Sequence, residues 1–464
     1  MKNAKIFDEK LVVLYYGICA LNFSGQFVEG AAKIESILVQ LGVVLEHVST
    51  SNLLSMVEQT RMRLEAFTIG ELKSLQRMSD SVKRMTMLFL ARLHFCYFMI
   101  NPEKQPIVIM KMVQIMLSHG MCETSPLALV LFGSLLGKLG YIEKGHEYAK
   151  LAKDLVKENT WYESNGVVMA YATQLSCYVE PVQAVLPLFT ESYERSMSEG
   201  DSHNACVNTL YYINEGYIAG LFLPKLSEKC SEARQLMKKL DHFAALAHLV
   251  VMERHLKSLM GVSWGSNQPD EEIEDGNPHT MFFALVYSIL NNFMFRKYRD
   301  MQRVLQQFLA HNRVDWTLMF LQSECTFIFG LTLFWVARES KEQNWRHAGV
   351  DAKQAMQAFT KTSTWNFEHK LFLMDAEEKF CDGNFEEAKI LYDKAIKSAK
   401  EHRFVNGEAI ACELAGCFYL ELGEVKAAEE YFVKAYERYE MWGAHGKSAI
   451  LREEIETLFN TSIS

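Results

Sequence analysis

Two stretches decide the reading of this chain: GNFEEAKILYDKAIKSAKEHRF, Gly383 to Phe404, and GEVKAAEEYFVKAYERYEMWGA, Gly423 to Ala444. With a shift of forty residues Gly423 falls on Gly383, Ala428 on Ala388, Phe432 on Tyr392 and Ala435 on Ala395. In each stretch small residues and one aromatic recur at three- and four-residue spacing, which gives a helix a single buried stripe. The small residues let a partner helix approach closely, and the aromatic fills the next groove. The leading glycine ends the preceding helix, because glycine takes the left-handed conformation at little cost. The block predicts a helix over 370–382 paired with one over 386–403. A second pair follows over 407–422 and 424–442. A last helix over 447–459 is expected to cap the array, since a terminal unit needs a polar outer face.

A looser form of the signal, a glycine followed five residues later by a small residue, recurs upstream. Gly25 precedes Gly30, Gly140 precedes Gly145, and Gly200 precedes Ala205. Each follows an apolar helical run. The pattern follows tetratricopeptide logic, with a period of 40 in place of 34 and therefore longer helices. All eight prolines lie before residue 279, so the last 186 residues fit near-continuous helices joined by tight turns. No alternating runs meet at an Asn-Gly or Asp-Gly turn. The expected fold is all-α, a tetratricopeptide-like solenoid of antiparallel helix pairs. Its expected segments are a repeat region over 1–260, an acidic loop or hinge over 261–280, and a second repeat region over 281–464.

The chain has 464 residues, 49% hydrophobic and 23% charged, with a net charge of −9. That length exceeds one ordinary core and fits an extended array. The charge balance, without a clustered Lys/Arg stripe, argues against a nucleic-acid partner. The ten cysteines form no C-x-x-C pair, fall mostly in apolar helical runs, and fit a reducing, cytoplasmic setting. The N-terminal apolar run carries Asp8, Glu9 and Lys10 before it and lacks a small-residue cleavage site, unlike a signal peptide. The most apolar run, Cys325 to Ala337, is flanked by Glu324 and Arg338 and is short for a bilayer, so it is expected to be a core helix rather than a membrane insertion.

The search for chemistry is negative. Gly446-Lys447-Ser448 suggests a phosphate loop, but Met441 stands where the pattern needs glycine and a helix precedes it. His146-Glu147 opens a zinc motif that Lys150 breaks. In the acidic stretch, Glu271 and Ile273 occupy calcium-loop positions one and three, the wrong ligand spacing. His94 and His369 are expected to be structural. The Met- and Phe-rich run over 281–295 is expected to pack between helices, with a ligand groove as the alternative. Neither predicted first helix, 370–382 or 407–422, contains the asparagine of a peptide-terminus clamp. No catalytic, cofactor or metal-ligating residue is expected.

These blocks together resemble the tetratricopeptide-like repeat region of large multidomain signalling ATPases that combine serine/threonine-kinase-like and histidine-kinase domains. The similar words are Asn366 to Lys370, Ala376-Glu377, Tyr392 to Ile396, Glu408 to Ala415, Phe418 to Leu420 and Trp442 to Ala444. Ser125 to Ala152 and Ser192 to Leu223 also resemble it, so the likeness covers most of the chain from about residue 125. The chain departs from the usual word at Glu368 and has no phosphate loop, kinase catalytic loop or phosphoacceptor box. The resemblance implies sensing or scaffolding without the family's catalysis. The expected function is a non-enzymatic interaction or scaffold module that binds a protein partner or neighbouring signalling domains, in an oligomeric state the sequence leaves open. The alternative is an effector-binding module for a small apolar or sugar-like ligand. A site assembled from distant acids and histidines is the third reading.

Overall fold

The computed structural model describes residues 7–45, 49–161, 165–263, 278–310 and 319–460. Most of the acidic stretch expected as a hinge, residues 264–277, lies outside the described residues. The described chain holds twenty-two α-helices. The first half comprises α1 (Phe7–Phe23), α2 (Phe27–Gln40), α3 (Thr50–Glu65), α4 (Ile69–Lys73), α5 (Ser81–Ile100), α6 (Gln105–His119), α7 (Ser125–Lys138), α8 (Ile142–Glu158), α9 (Asn165–Gln174), α10 (Val182–Glu199), α11 (Ser202–Ile218), α12 (Leu223–Lys239) and α13 (Phe243–Met260). The second comprises α14 (Pro278–Met294), α15 (Tyr298–Ala310), α16 (Phe320–Ser340), α17 (Gln343–Thr362), α18 (Thr364–Cys381), α19 (Phe385–Glu401), α20 (Val405–Glu421), α21 (Val425–Trp442) and α22 (His445–Phe459). No strand occurs among the described residues; one isolated bridge joins Arg77 and Met121.

Consecutive helices pack as antiparallel pairs, most extensively α7 with α8, α16 with α17, α18 with α19 and α20 with α21. The two members of a pair differ in kind. The second member is amphipathic. On α19 the buried residues are Ala388, Tyr392, Ala395, Ser398 and Ala399, one stripe, with Glu386, Glu387 and Lys397 outside. The first member is buried on every side. On α20 all residues from Asn406 to Glu413 are buried, and on α11 all from Ile213 to Ile218. A helix hydrophobic all round belongs in a core. The first members therefore form an inner layer and the second members an outer one.

The first helices of the C-terminal pairs start earlier than the sequence suggests, at Thr364 and Val405, so each takes in an asparagine, Asn366 or Asn406. Ser363 marks one start by accepting the Asn366 N–H at 3.4 Å, a standard N-cap. α16 runs for 21 residues, long and apolar enough to cross a membrane, yet 78% of its apolar window is buried inside the array. It packs against α17, α18, α14 and α11.

The inner layers of the two halves meet. α11 packs on α16, α5 on α14, and α13 on α22. The contact is periodic. Asn366 Nδ2 donates to the carbonyls of Cys177 and Glu180, both at 2.7 Å, and its Oδ1 accepts the Val182 N–H at 3.1 Å. Forty residues on, Asn406 Nδ2 donates to the carbonyls of Tyr217 and Ile218 at 3.2 Å. Cys177 and Tyr217 are also forty residues apart, and in both bonds donor and acceptor lie 189 residues apart. Another forty residues on stands Gly446. A Cβ there would lie 2.3 Å from the Gly261 amide nitrogen and 2.8 Å from the Ser258 carbonyl. The superhelix thus stacks one turn on the next in fixed register, a long-range contact added to the stacking of neighbouring repeats.

Candidate functional site

The repeat positions come first. Gly383 and Gly423 sit just past the ends of α18 and α20 with φ of 78° and 75°, where an L side chain is strained. Ala388, Tyr392, Ala395, Ala428, Phe432 and Ala435 are all fully buried. Phe432 lies on Gly416 of α20, whose added Cβ would meet its ring at 3.0 Å. Each buried aromatic of this kind contributes about 1.5–3 kcal/mol. Gly140 turns α7 into α8. Gly145 then crosses the backbone of Gly133, where an added Cβ would lie 2.2 Å from the Gly133 carbonyl. Gly25 turns α1 into α2, and Gly30 faces the Asn22 side chain. Gly200 differs: it joins outer α10 to inner α11, a turn between pairs, with Ala205 fully buried behind it. These residues shape the array and hold no reactive group.

The inner layer carries polar chemistry that the sequence patterns hid. Lys370 pairs with Glu324 at 2.5 Å, both nearly sealed from water. Glu215 is 1% exposed and neither carboxyl oxygen has a partner. Burial raises its carboxyl well above the ordinary range; Lys370 opposes that rise and Glu324 adds to it. Burial thus favours the neutral acid at Glu215. Beside it Tyr287 donates to Asn214 at 2.5 Å, and the Tyr217 hydroxyl lies 2.9 Å from His255 Nε2. Burial pushes the His255 imidazole down to about 4 and drives His369 well below its ordinary range. His369 stacks on Phe404 at 4.5 Å between ring centroids, a structural placement. The cluster joins α11, α13, α14, α16 and α18. It is sealed, so what it does in this state is fix the register of the two turns. Asn366 and Asn406, the asparagines absent from the predicted first helices, are spent on the same task and do not line a peptide groove.

The phosphate-loop lookalike resolves into packing. Gly446 is the close-approach glycine against Gly261, and the Lys447 ammonium is buried 2.6 Å from Glu413. Among the described residues no group of three or more His, Cys, Asp or Glu side chains is arranged to hold a metal ion. All ten cysteines are free thiols.

The exposed faces of α22 and α1 differ. On α22 the exposed positions include Arg452, Glu453, Glu456 and Thr457 beside Ile450 and Leu458. On α1 the exposed residues after Lys10 are Val12, Val13, Tyr16, Gly17 and Ala20, one stripe without a charge. Tyr16 is 68% exposed, and Val28 and Val39 of α2 are exposed as well.

No family model matches the chain, and no curated protein matches it. Among solved structures it is similar to a "Circular tandem repeat protein with novel repeat topology and enhanced subunit contact surfaces", at 12% identity over 98% of this chain and 95% of that one, with a TM-score of 0.15.

Proposed function

We propose that this chain is a non-catalytic helical-repeat scaffold that docks a helix of a protein partner on the outer stripe of α1. One observation carries this reading: the exposed residues of α1 after Lys10 are Val12, Val13, Tyr16, Gly17 and Ala20, an apolar stripe without a charge. Spacing of that kind receives the apolar face of another helix, and Gly17 and Ala20 leave room for close approach. The partner's class is a signalling kinase or ATPase; the support for that class is the likeness of the packing words quoted above. The ten free thiols suit work in a reducing, cytoplasmic compartment. The mechanism is geometric. The register bonds hold the superhelix, and the superhelix holds the docking stripe in place.

The test is affinity capture from cell extract, read by mass spectrometry, with the wild-type chain beside the double variant Val13→Glu/Tyr16→Glu. Both positions are exposed, so the variant keeps its helical circular-dichroism spectrum. A signalling protein retained by the wild type and lost by the variant is the expected result. Equal recovery of the same partners by both chains overturns the proposal.

A further inference from the structure

A second site lies within the inner layer. α14, α16, α18, α20 and α21 enclose a part-open cavity of about 230 Å³. Its walls are mostly apolar: Phe293, Leu331, Trp335, Leu414 and Leu420 face it, three of them from the aromatic-rich region before residue 337. At its rim Arg338 and the exposed Glu421 are shared with a wider polar opening between the ends of α16 and α18, where Lys341 and Arg346 stand.

The charges at this cavity are already matched. Arg338 pairs with Glu377 at 2.5 Å, and Tyr392 donates to the other oxygen of that carboxylate. Arg296 pairs with Glu413 at 3.1 Å and with Glu454, and Lys447 completes the set on Glu413. Burial works to raise the Glu413 carboxyl, but Lys447 and Arg296 outweigh it and hold it below its ordinary range. Three cations, Arg338, Arg296 and Lys447, therefore face the carboxylates of Glu377, Glu413 and Glu454, and the fourth carboxylate, Glu421, stands exposed at the rim where water solvates it. A charged guest would add an uncompensated charge to a desolvated site, which is costly. Cys417 also lines the cavity, and burial pushes its thiol up to about 12, so it is no nucleophile. One need is unmet. The Arg338 Nε–H is buried without an acceptor. A buried donor left unpaired is unfavourable, and a guest with an oxygen acceptor satisfies it once the Arg338 side chain turns that donor toward the cavity.

We propose that this cavity binds a small neutral molecule with a flat apolar body and one carbonyl-type oxygen, the body against Trp335, Leu331 and Leu414 and the oxygen on Arg338 Nε–H. The size, the apolar walls with few polar groups, and the charge balance select that class over sugars, phosphates and carboxylates. The site is separate from the α1 stripe, so it stands or falls independently of the docking reading.

The probe is prodan, a neutral naphthyl ketone whose emission shifts to the blue on leaving water, titrated into the full chain. Saturable binding is expected. Leu414→Trp fills the cavity from a half-buried position and is expected to weaken binding at least about tenfold, with the thermal midpoint kept. The ketone-free parent, dimethylaminonaphthalene, is expected to bind the wild type about tenfold more weakly than prodan, the worth of one hydrogen bond to a charged donor. Arg338→Lys keeps the ion pair with Glu377 but loses the Nε donor, and is expected to erase that ketone preference. Three results overturn the proposal: no saturable binding to the wild type, equal binding by Leu414→Trp, or tighter binding of the corresponding naphthyl carboxylate than of the ketone.

Discussion

Asn366 and Asn406 stand forty residues apart and make corresponding bonds from Nδ2, Asn366 to the Cys177 and Glu180 carbonyls just past α9 and Asn406 to the Tyr217 and Ile218 carbonyls at the end of α11. The repeat is therefore written twice, once in the helix pairs and once in the bonds between turns. Helix ends leave carbonyls without intrahelical partners. Here the next turn of the array supplies the donors. That couples local pairs into one body, because losing the register orphans several buried groups at once.

The two asparagines differ in how many partners they satisfy, and this sets an order. Asn366→Leu leaves two carbonyls and the Val182 N–H unpaired; Asn406→Leu leaves only the Ile218 carbonyl, since the Tyr217 carbonyl still accepts the Gly220 N–H at 3.1 Å and the Asn406 Oδ1 has no partner. At about 1 kcal/mol for each orphaned group, the losses are about 3 and about 1 kcal/mol. Urea unfolding followed by circular dichroism reads both. Equal stability of Asn366→Leu and wild type would show that the register bonds contribute nothing.

Gly446 takes the asparagine's place in the third repeat by bringing backbone against backbone. Gly446→Ala puts a Cβ 2.3 Å from the Gly261 nitrogen, and backbone does not yield as a flexible side chain does. A loss of about 2 kcal/mol is expected, together with faster amide exchange along α22. Gly17→Ala is the control. Nothing lies within 4 Å of its Cβ, and the exchange is expected to stabilise α1 by about 0.5–1 kcal/mol. A thermal melt that ranks Gly446→Ala at or above the wild type refutes the crossing.

The helix pairs were legible in the sequence because their cause is local. A glycine in the left-handed region and a small–aromatic–small stripe are both needed within one pair, so both are visible there. The inner layer was not legible. A helix buried on all sides has no stripe, so no pattern in the sequence marks Lys370 and Glu377 as the buried partners of Glu324 and Arg338. The bonds of Asn366 and Asn406 were hidden for a different reason: they join residues 189 apart, and no spacing rule reaches that far. Ser363 could have moved the start of α18 back far enough to include Asn366. The cavity was half visible. The aromatic-rich stretch suggested a groove, but its other wall comes from α20 and α21, whose lining residues look like ordinary packing.

Glu215 gives a prediction with a definite sign. Its folded-state pKa is raised, so the neutral acid adds stability below the ordinary carboxylate range, and that stability is lost as pH rises toward the folded value. Glu215→Gln keeps the shape of the neutral acid and cannot ionise. It is expected to match the wild type near pH 4 and to exceed it at pH 8, the gap growing by about 1.4 kcal/mol per pH unit until the folded-state pKa is passed. Denaturant titrations at the two pH values decide it. A glutamine variant less stable than the wild type at pH 8 means that the carboxylate is charged and paired.

His255 titrates in the opposite sense. Burial holds its imidazole at about 4 when folded, against about 6.5 when unfolded. The unfolded chain therefore binds the proton first as pH falls, and the stability that a neutral His255 supplies above pH 6.5 is lost between about 6.5 and 4. Each pH unit in that window costs about 1.4 kcal/mol per such histidine. His255→Gln retains a group that can meet the Tyr217 hydroxyl and removes one proton from the transition. The expected outcome is a shallower decline in stability from pH 7 to pH 5 than in the wild type, by about one proton in the slope, at some loss of stability at neutral pH. An unchanged slope would mean that His255 titrates alike in the folded and unfolded chains, and that the seal over the inner layer opens to water above pH 5.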